Sequence, residues 1–158
     1  MSEDLLQQTV ALLEQSGRPY TRLRHASATD GIALSQARGM PRSDGVKALL
    51  MKVRDAFILL ALRAHQRTDN RTVRHALGAQ RLRFARTAEL RSWGLVPGQI
   101  PPIGHPLLPF DLVADVEVFN QERVVFTAGS STDSFVIGTE DWRAIARPMV
   151  TRLTRSGE

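Results

Sequence analysis

The stretch "GVKALLMKVRDAFILLALR", Gly45 to Arg63, decides how this chain folds. It holds two apolar runs, "VKALLMKV" and "AFILLAL", parted only by Arg54-Asp55. Each run has strand length, and a two-residue gap between such runs predicts a hairpin, here near the centre of a sheet. One residue stands out. The chain has 19 Arg and only two Lys, yet Lys47 opens the first of these runs. In a strand, side chains alternate faces, so Lys47 shares a face with Leu49, Met51 and Val53, while Val46, Ala48, Leu50 and Lys52 take the other. Lys52 belongs to the hairpin tip, and Lys47 to the mouth end of an apolar face. A desolvated ammonium is costly unless it is paired. Such a lysine either snorkels to water or serves a site. A compact charge with three donors on a slim stem suits gripping a small polar group in a narrow pocket. The pattern alone leaves both readings open.

Working outward, residues 3 to 16 predict an amphipathic helix, with Leu5, Leu6, Val10 and Leu13 at helical spacing, Ser2 as its cap and Glu3 and Asp4 in the first turn. Gly17 ends it. "YTRLRHA" predicts a short strand. "SATDGIALSQARGM" reads as a loop and then a short helix stopped by Gly39. "DNRTVRHALG" is a capped helix ended by Gly78, "RLRFA" a brief strand, and Thr87 caps a helix over Ala88 to Trp93. "GLVPGQIPPIGHPLLP" must be an irregular loop. "DLVADVEVF", "RVVFTAG" and "SFVIG" read as strands, and "TEDWRAIARPMVTRL" as a closing helix capped by Thr139 and broken or kinked at Pro148. Helices and strands do not alternate regularly. The order therefore predicts an α+β, or mixed α/β, fold around one sheet, possible as a partly closed barrel, and not a doubly wound sheet.

The 158 residues fit one domain spanning 1–158. There is no Cys, which excludes disulfides, thiolate metal sites and a Cys nucleophile. No apolar run reaches the ~18 residues of a membrane span. The acidic start does not resemble a signal peptide, so a cytoplasmic protein is expected. The net charge is +5 and unevenly spread. Residues 63–91 carry eight Arg against Asp69 and Glu89, whereas residues 111–141 carry seven acids and only Arg123. Such asymmetry suggests a basic face for a polyanion, although Arg-rich surfaces also follow genome composition.

The motifs of common chemistries are missing. The four His form no HExxH and have no acid at metal-ligand spacing, so neither metal nor cofactor is expected. There is no GxSxG, GxxxxGK[ST] or GxGxxG. His25 ends the first strand as either a core histidine or a pocket group. The loop "GQIPPIGHP" combines Gly98, Pro101, Pro102, Gly104 and Pro106. Its prolines stiffen it and its glycines admit a ligand close to the backbone. That suits holding a carbonyl, and equally a rigid connection between substructures. "TAGSSTDS", from Thr127, leaves a strand into small polar residues and fits a simple hairpin turn.

Taken in order, "RHASAT", "GVKALLMKV", "LRFARTAEL", "WGLVPGQIPPIGHP", "LVADVEVF" and "VVFTAGSSTDSFVI" resemble the free-standing aminoacyl-tRNA deacylases of the YbaK/ProX group, related to the editing insertion of bacterial prolyl-tRNA synthetase. The resemblance runs from about Tyr20 to Ile145. It implies a mixed sheet, partly closed as a barrel and flanked by helices, and a trans-editing hydrolase that cleaves a small amino acid from the terminal adenosine of mischarged tRNA. Lys47 matches the family's essential lysine, Gly98 to Pro102 its GxxxP loop and Ala128-Gly129 its strand-to-turn segment. Ala48 stands where several members carry Asn or Thr. The resemblance implies Lys47, Gly98 and Pro102 as catalytic residues and His25, Ile100, Pro101, Gly104, Thr127, Gly129 and Ser130 as substrate contacts. It implies a ribose hydroxyl that helps to activate water, since no general base stands out. The partner would be the acceptor end of tRNA, bound through the Arg-rich face of residues 63–91, and an aminoacyl-tRNA synthetase is admitted as a second partner. The rival readings are a non-catalytic RNA-binding module of the same fold and a small-molecule regulatory domain.

Overall fold

The computed structural model describes residues 2–28 and 30–155. The predicted hairpin forms. β2 (Val46–Val53) and β3 (Ala56–Arg63) pair antiparallel from Val46–Arg63 to Val53–Ala56. Arg54 turns the corner at φ 58°, and its guanidinium donates to the Gly78 carbonyl at 2.6 Å. β4 (Leu82–Phe84) pairs with Met51–Val53 of β2. β5 (Asp111–Asp115) runs parallel to β3, and β8 (Met149–Thr151) parallel to β5, which gives the order β4-β2-β3-β5-β8.

This sheet is buried on both faces. Val46, Ala48 and Leu50 join Leu59 and Ala61 in the larger core, with Phe126, Phe135 and Trp142. Met51, Val53 and Leu60 face the other way, onto Val73 of α3 (Asn70–Leu77) and Leu153. Two buried faces require apolar residues at nearly every position, which explains why the hairpin runs do not alternate in polarity. Each fully buried Leu or Met here contributes roughly 1.5–3 kcal/mol.

A second sheet holds β1 (Tyr20–Arg24), β7 (Asp133–Gly138) and β6 (Arg123–Thr127), antiparallel in the order β1-β7-β6. Among the described residues the two sheets are linked by one isolated bridge, Gly45 to Val125. The fold is mixed α/β as predicted, but the architecture is two sheets, and the barrel stays open.

The helices follow their caps. α1 (Ser2–Ser16) buries Leu5 and Leu13 and ends at Gly17, with φ 69°. The cap at Ser2 and the Glu3 carboxylate expected there lie outside the described side chains. α2 (Gly31–Arg38) starts at Asp30, whose carboxylate accepts from the Ala33 N–H at 2.8 Å, and stops at Gly39 in the left-handed region. Asp69 caps α3 in the same way through Thr72, and Gly78 ends it.

Three expectations need correction. α4 (Thr87–Ser92) is capped by Arg86, not Thr87, because the Glu89 carboxylate reaches back to the Arg86 N–H at 2.8 Å. "VEVFN" is a 3-10 turn, since the Asp115 carboxylate accepts from the Glu117 N–H and ends β5. α5 (Thr139–Ala146) begins after Gly138, and the Thr139 hydroxyl donates to the Gln121 carbonyl instead of capping the helix. Arg147 leaves the helix at φ 47°, and the residues after Pro148 form β8.

Candidate functional site

The site lies where the start of β2 faces the end of β6. Beyond β4 the edge of β2 is open, and three segments gather over it: α2 with the turn that follows, the Gly/Pro loop, and the end of β6. A cavity of about 150 Å³ opens between them. Lys47, Gly98, Ile100 and Thr127 all line it. Leu34, Val46 and Ala48 supply an apolar part, and Arg38 and Arg42 a cationic one.

The loop is held from three sides. The Thr127 hydroxyl donates to the Gly98 carbonyl at 2.7 Å, and the Gly129 N–H to the Gln99 carbonyl at 2.7 Å. The Trp142 indole N–H donates to the Pro102 carbonyl at 2.9 Å, inside the core. Gly98 has φ 81°, a conformation that favours glycine. Gly104 lies flat against the Phe110 carbonyl, where a side chain would collide. The Gln99 N–H is taken by the Val96 carbonyl, whereas the Gly98 and Ile100 N–H groups donate to no acceptor among the described residues. Two free amides at the cavity wall are suited to a carbonyl oxygen that gains negative charge.

The electrostatics are one-sided. Burial, then the charges of Arg67 and Arg42, lower the pKa of Lys47. Burial lowers that of Arg38 to about 10. His65 is lowered by burial, then by Arg63, Arg42 and Lys47. Neither Lys47 nor Arg38 has a carboxylate at ion-pair distance among the described residues, and no carboxylate or imidazole lines the cavity.

The remaining predicted residues are spread around this centre. Pro101, Pro102 and Gly104 are buried in the loop behind the cavity wall. Gly129 ties the loop to β6. His25 lies outside the lining, its Nε2 at 2.8 Å from the Ser134 hydroxyl. The Ser130 hydroxyl donates to Asp133 at 2.8 Å within the β6–β7 turn. Sequence reasoning missed Leu34, Arg38 and Arg42. Their only signal was two arginines flanking "GMP" just before the hairpin. Within the Arg-rich stretch of residues 63–91, Arg83 is held by both Glu89 oxygens, and Arg63 approaches Glu117 at 3.8 Å.

Comparison with known proteins identifies the family. The model of the aminoacyl-tRNA editing domain matches residues 25–145. The multifunctional Ser/Thr-tRNA deacylase ProXp-y of Escherichia coli (strain K12) is 32% identical over 157 residues, covering 95% of this chain and 93% of that protein. The proline–tRNA ligase of Shouchella clausii is 31% identical over 130 residues, covering 82% of this chain and 21% of that enzyme. A crystal structure of a candidate trans-editing enzyme for prolyl-tRNA synthetase superposes with a TM-score of 0.81 at 22% identity, over 96% of this chain and 97% of the other, and shares the fold. These matches define the class, ester hydrolases that act on charged tRNA. The chain belongs to the aminoacyl-tRNA editing family and is an aminoacyl-tRNA deacylase.

Proposed function

We propose that the cavity between Lys47 and the 98–100 segment receives the aminoacyl end of the substrate, and that this pocket selects small residues such as Ser and Thr. The observation that carries the reading is the meeting of Lys47, Gly98, Ile100 and Thr127 on one small cavity. A cavity of ~150 Å³ accommodates a group of about the size of benzene. That is room for a small side chain and its ester, with the adenosine left outside. The Ser/Thr preference named for the Escherichia coli relative supports the same size class.

In this reading Lys47 orients the terminal nucleotide and the ester through its three N–H donors. The amides of Gly98 and Ile100 receive the carbonyl oxygen as water adds. The carbon–oxygen bond to the ribose then breaks, releasing the amino acid and a tRNA with its hydroxyl restored. Since no side-chain base lines the cavity, a neighbouring ribose hydroxyl of the substrate assists the water. Pro101, Pro102 and Gly104 act by stiffening the wall, and Gly129 by anchoring it. His25 and Ser130 act from beside the cavity, through Ser134 and Asp133. The whole chain, 1–158, serves as the editing domain, and it works in the cytoplasm on tRNA released by, or passed from, a synthetase. No helix among the described residues is long and apolar enough to cross a membrane.

One methylene changes binding in an apolar pocket by only ~1–3 kcal/mol, so exclusion of large residues by shape is the main filter. A panel of tRNAs charged with Gly, Ala, Ser, Thr, Val and Phe tests the proposal. Release of the small residues, with at least a hundredfold lower rate for Phe, supports it. Binding of every tRNA without release supports the non-catalytic module instead.

A further inference from the structure

Eight of the 19 arginines close on carboxylates among the described residues; Arg22 meets Asp133 at 3.0 Å and Arg123 meets Asp44 at 2.9 Å. Four cations near the cavity do not. Arg38, Arg42, Lys47 and Arg67 have no carboxylate at ion-pair distance among the described residues, although Arg38, Arg42 and Lys47 all line the cavity. Arg67 and Arg42 are the charges that act on the Lys47 ammonium. Arg38 is anchored along one edge. Its Nε donates to the Ser134 hydroxyl at 2.8 Å, and Ser134 is fully buried and also meets His25. Its Nη1 lies within van der Waals reach of the space beside Gly45. Arg42 leans over Gly31 at the start of α2. Like charges gathered on one partly desolvated rim repel one another, and an anionic ligand relieves that repulsion.

We infer that Arg38, Arg42 and Lys47 form a phosphate seat at the rim of the cavity, and that Arg67 continues it, so that the 3′ strand of the RNA leaves the site over the Arg67 end of the hairpin. This rests on the deacylase reading above and adds the grip on the substrate. Within the expected face of residues 63–91 it singles out Arg67. Lys52 and Arg83 pair at the opposite end of β2, five residues and about 17 Å away at strand rise. Arg83 is already committed to Glu89. A guanidinium fork suits a phosphodiester oxygen pair better than an ammonium does, which accounts for arginines surrounding the lone lysine.

The test uses the full chain and two substrates, seryl-tRNA and seryl-adenosine, the second having the ester but no phosphate. Arg42→Gln and Arg67→Gln are exposed-site changes that leave folding intact; Arg38→Gln and Arg38→Lys probe the anchored guanidinium, with a melting curve to confirm the fold. With seryl-tRNA each Gln variant is expected to raise KM by about tenfold, with kcat within twofold. The dependence of log KM on log salt should lose about 0.7 per contact removed. With seryl-adenosine, which carries no phosphate, the KM ratio between each Gln variant and wild type should shrink to about twofold or less. Arg18→Gln, an exposed change that also removes one charge, should behave as wild type on both substrates. The inference is overturned if the wild type cleaves seryl-tRNA and the Arg42 and Arg67 variants keep its KM and salt slope, or if Arg18→Gln raises KM as much as they do. Failure of the wild type to cleave any charged tRNA overturns the deacylase reading itself, and the seat with it.

Discussion

At the residue scale the lone lysine carries the account. Lys47 was legible because it broke two patterns together: an Arg-rich chain, and an apolar strand. Its surroundings were not. Arg38 sits in the last turn of α2, where a basic residue is ordinary because it complements the helix dipole, so nothing in the sequence marked it as a cavity residue. Lys47→Arg keeps the charge but places a wide planar fork where a slim stem stood. We expect it to fold with an unchanged melting temperature and to lose at least tenfold in kcat/KM with seryl-tRNA. A second prediction concerns Glu89. Hydrogen bonds from Arg83, then from the Arg86 backbone, hold its pKa at about 2 against an ordinary 4.5. A carboxyl whose pKa is depressed by folding stabilises the fold above its unfolded value, and that contribution is lost as pH falls toward its folded value. Melting curves of Glu89→Gln should therefore lie below wild type at pH 7, and the gap should close between about pH 4.5 and 2. A gap that persists at pH 2 would mean that Glu89 acts by packing instead.

At the scale of elements, the glycine stops were readable, and the caps only in part: the Thr87 and Thr139 caps were not formed. Gly39 stops α2, and Asp69 and Gly78 bracket α3, as the sequence predicts. The reading failed where a distant partner decides. "DVEVF" alternates like a strand, but the Asp115 carboxylate turns the chain and also accepts from the backbone N–H groups of Leu153 and Thr154, 38 and 39 residues away. β8 is only three residues long and exists because β5 is there to pair with it. The Gly/Pro loop reads as irregular, yet its rigidity comes from Thr127, Gly129 and Trp142, none of them local. Trp142→Phe would leave the buried Pro102 carbonyl without its donor, at a cost of about 1–3 kcal/mol. Gly104→Ala would force a methyl group against the Phe110 carbonyl, with a similar ~1–3 kcal/mol penalty for overpacking. Denaturant unfolding measures both. Activity should fall in each variant under conditions where it remains folded, because the cavity wall shifts; full activity in a folded Gly104→Ala would detach the loop's rigidity from function.

At the scale of the whole molecule, the hairpin placed the sheet and predicted the fold class, because a strand pair buried on both faces fixes where the helices must go. The number of sheets was beyond the sequence. Whether β6 and β2 zip together into a barrel or touch at one bridge depends on non-local pairing, and it is the open edge left between them that makes room for the cavity. The cavity thus joins segments far apart in the chain: residues 31–48, 98–100 and 127. That assembly makes one claim above all, that the ammonium of Lys47 seats the charged end of tRNA beside the free amides of the loop. Deacylation of seryl-tRNA by wild type and by Lys47→Ala, with melting curves on both, measures it most directly. The account predicts rapid release of serine by the wild type and a loss of about a hundredfold or more in Lys47→Ala at unchanged stability. Release by a folded Lys47→Ala at the wild-type rate would contradict it.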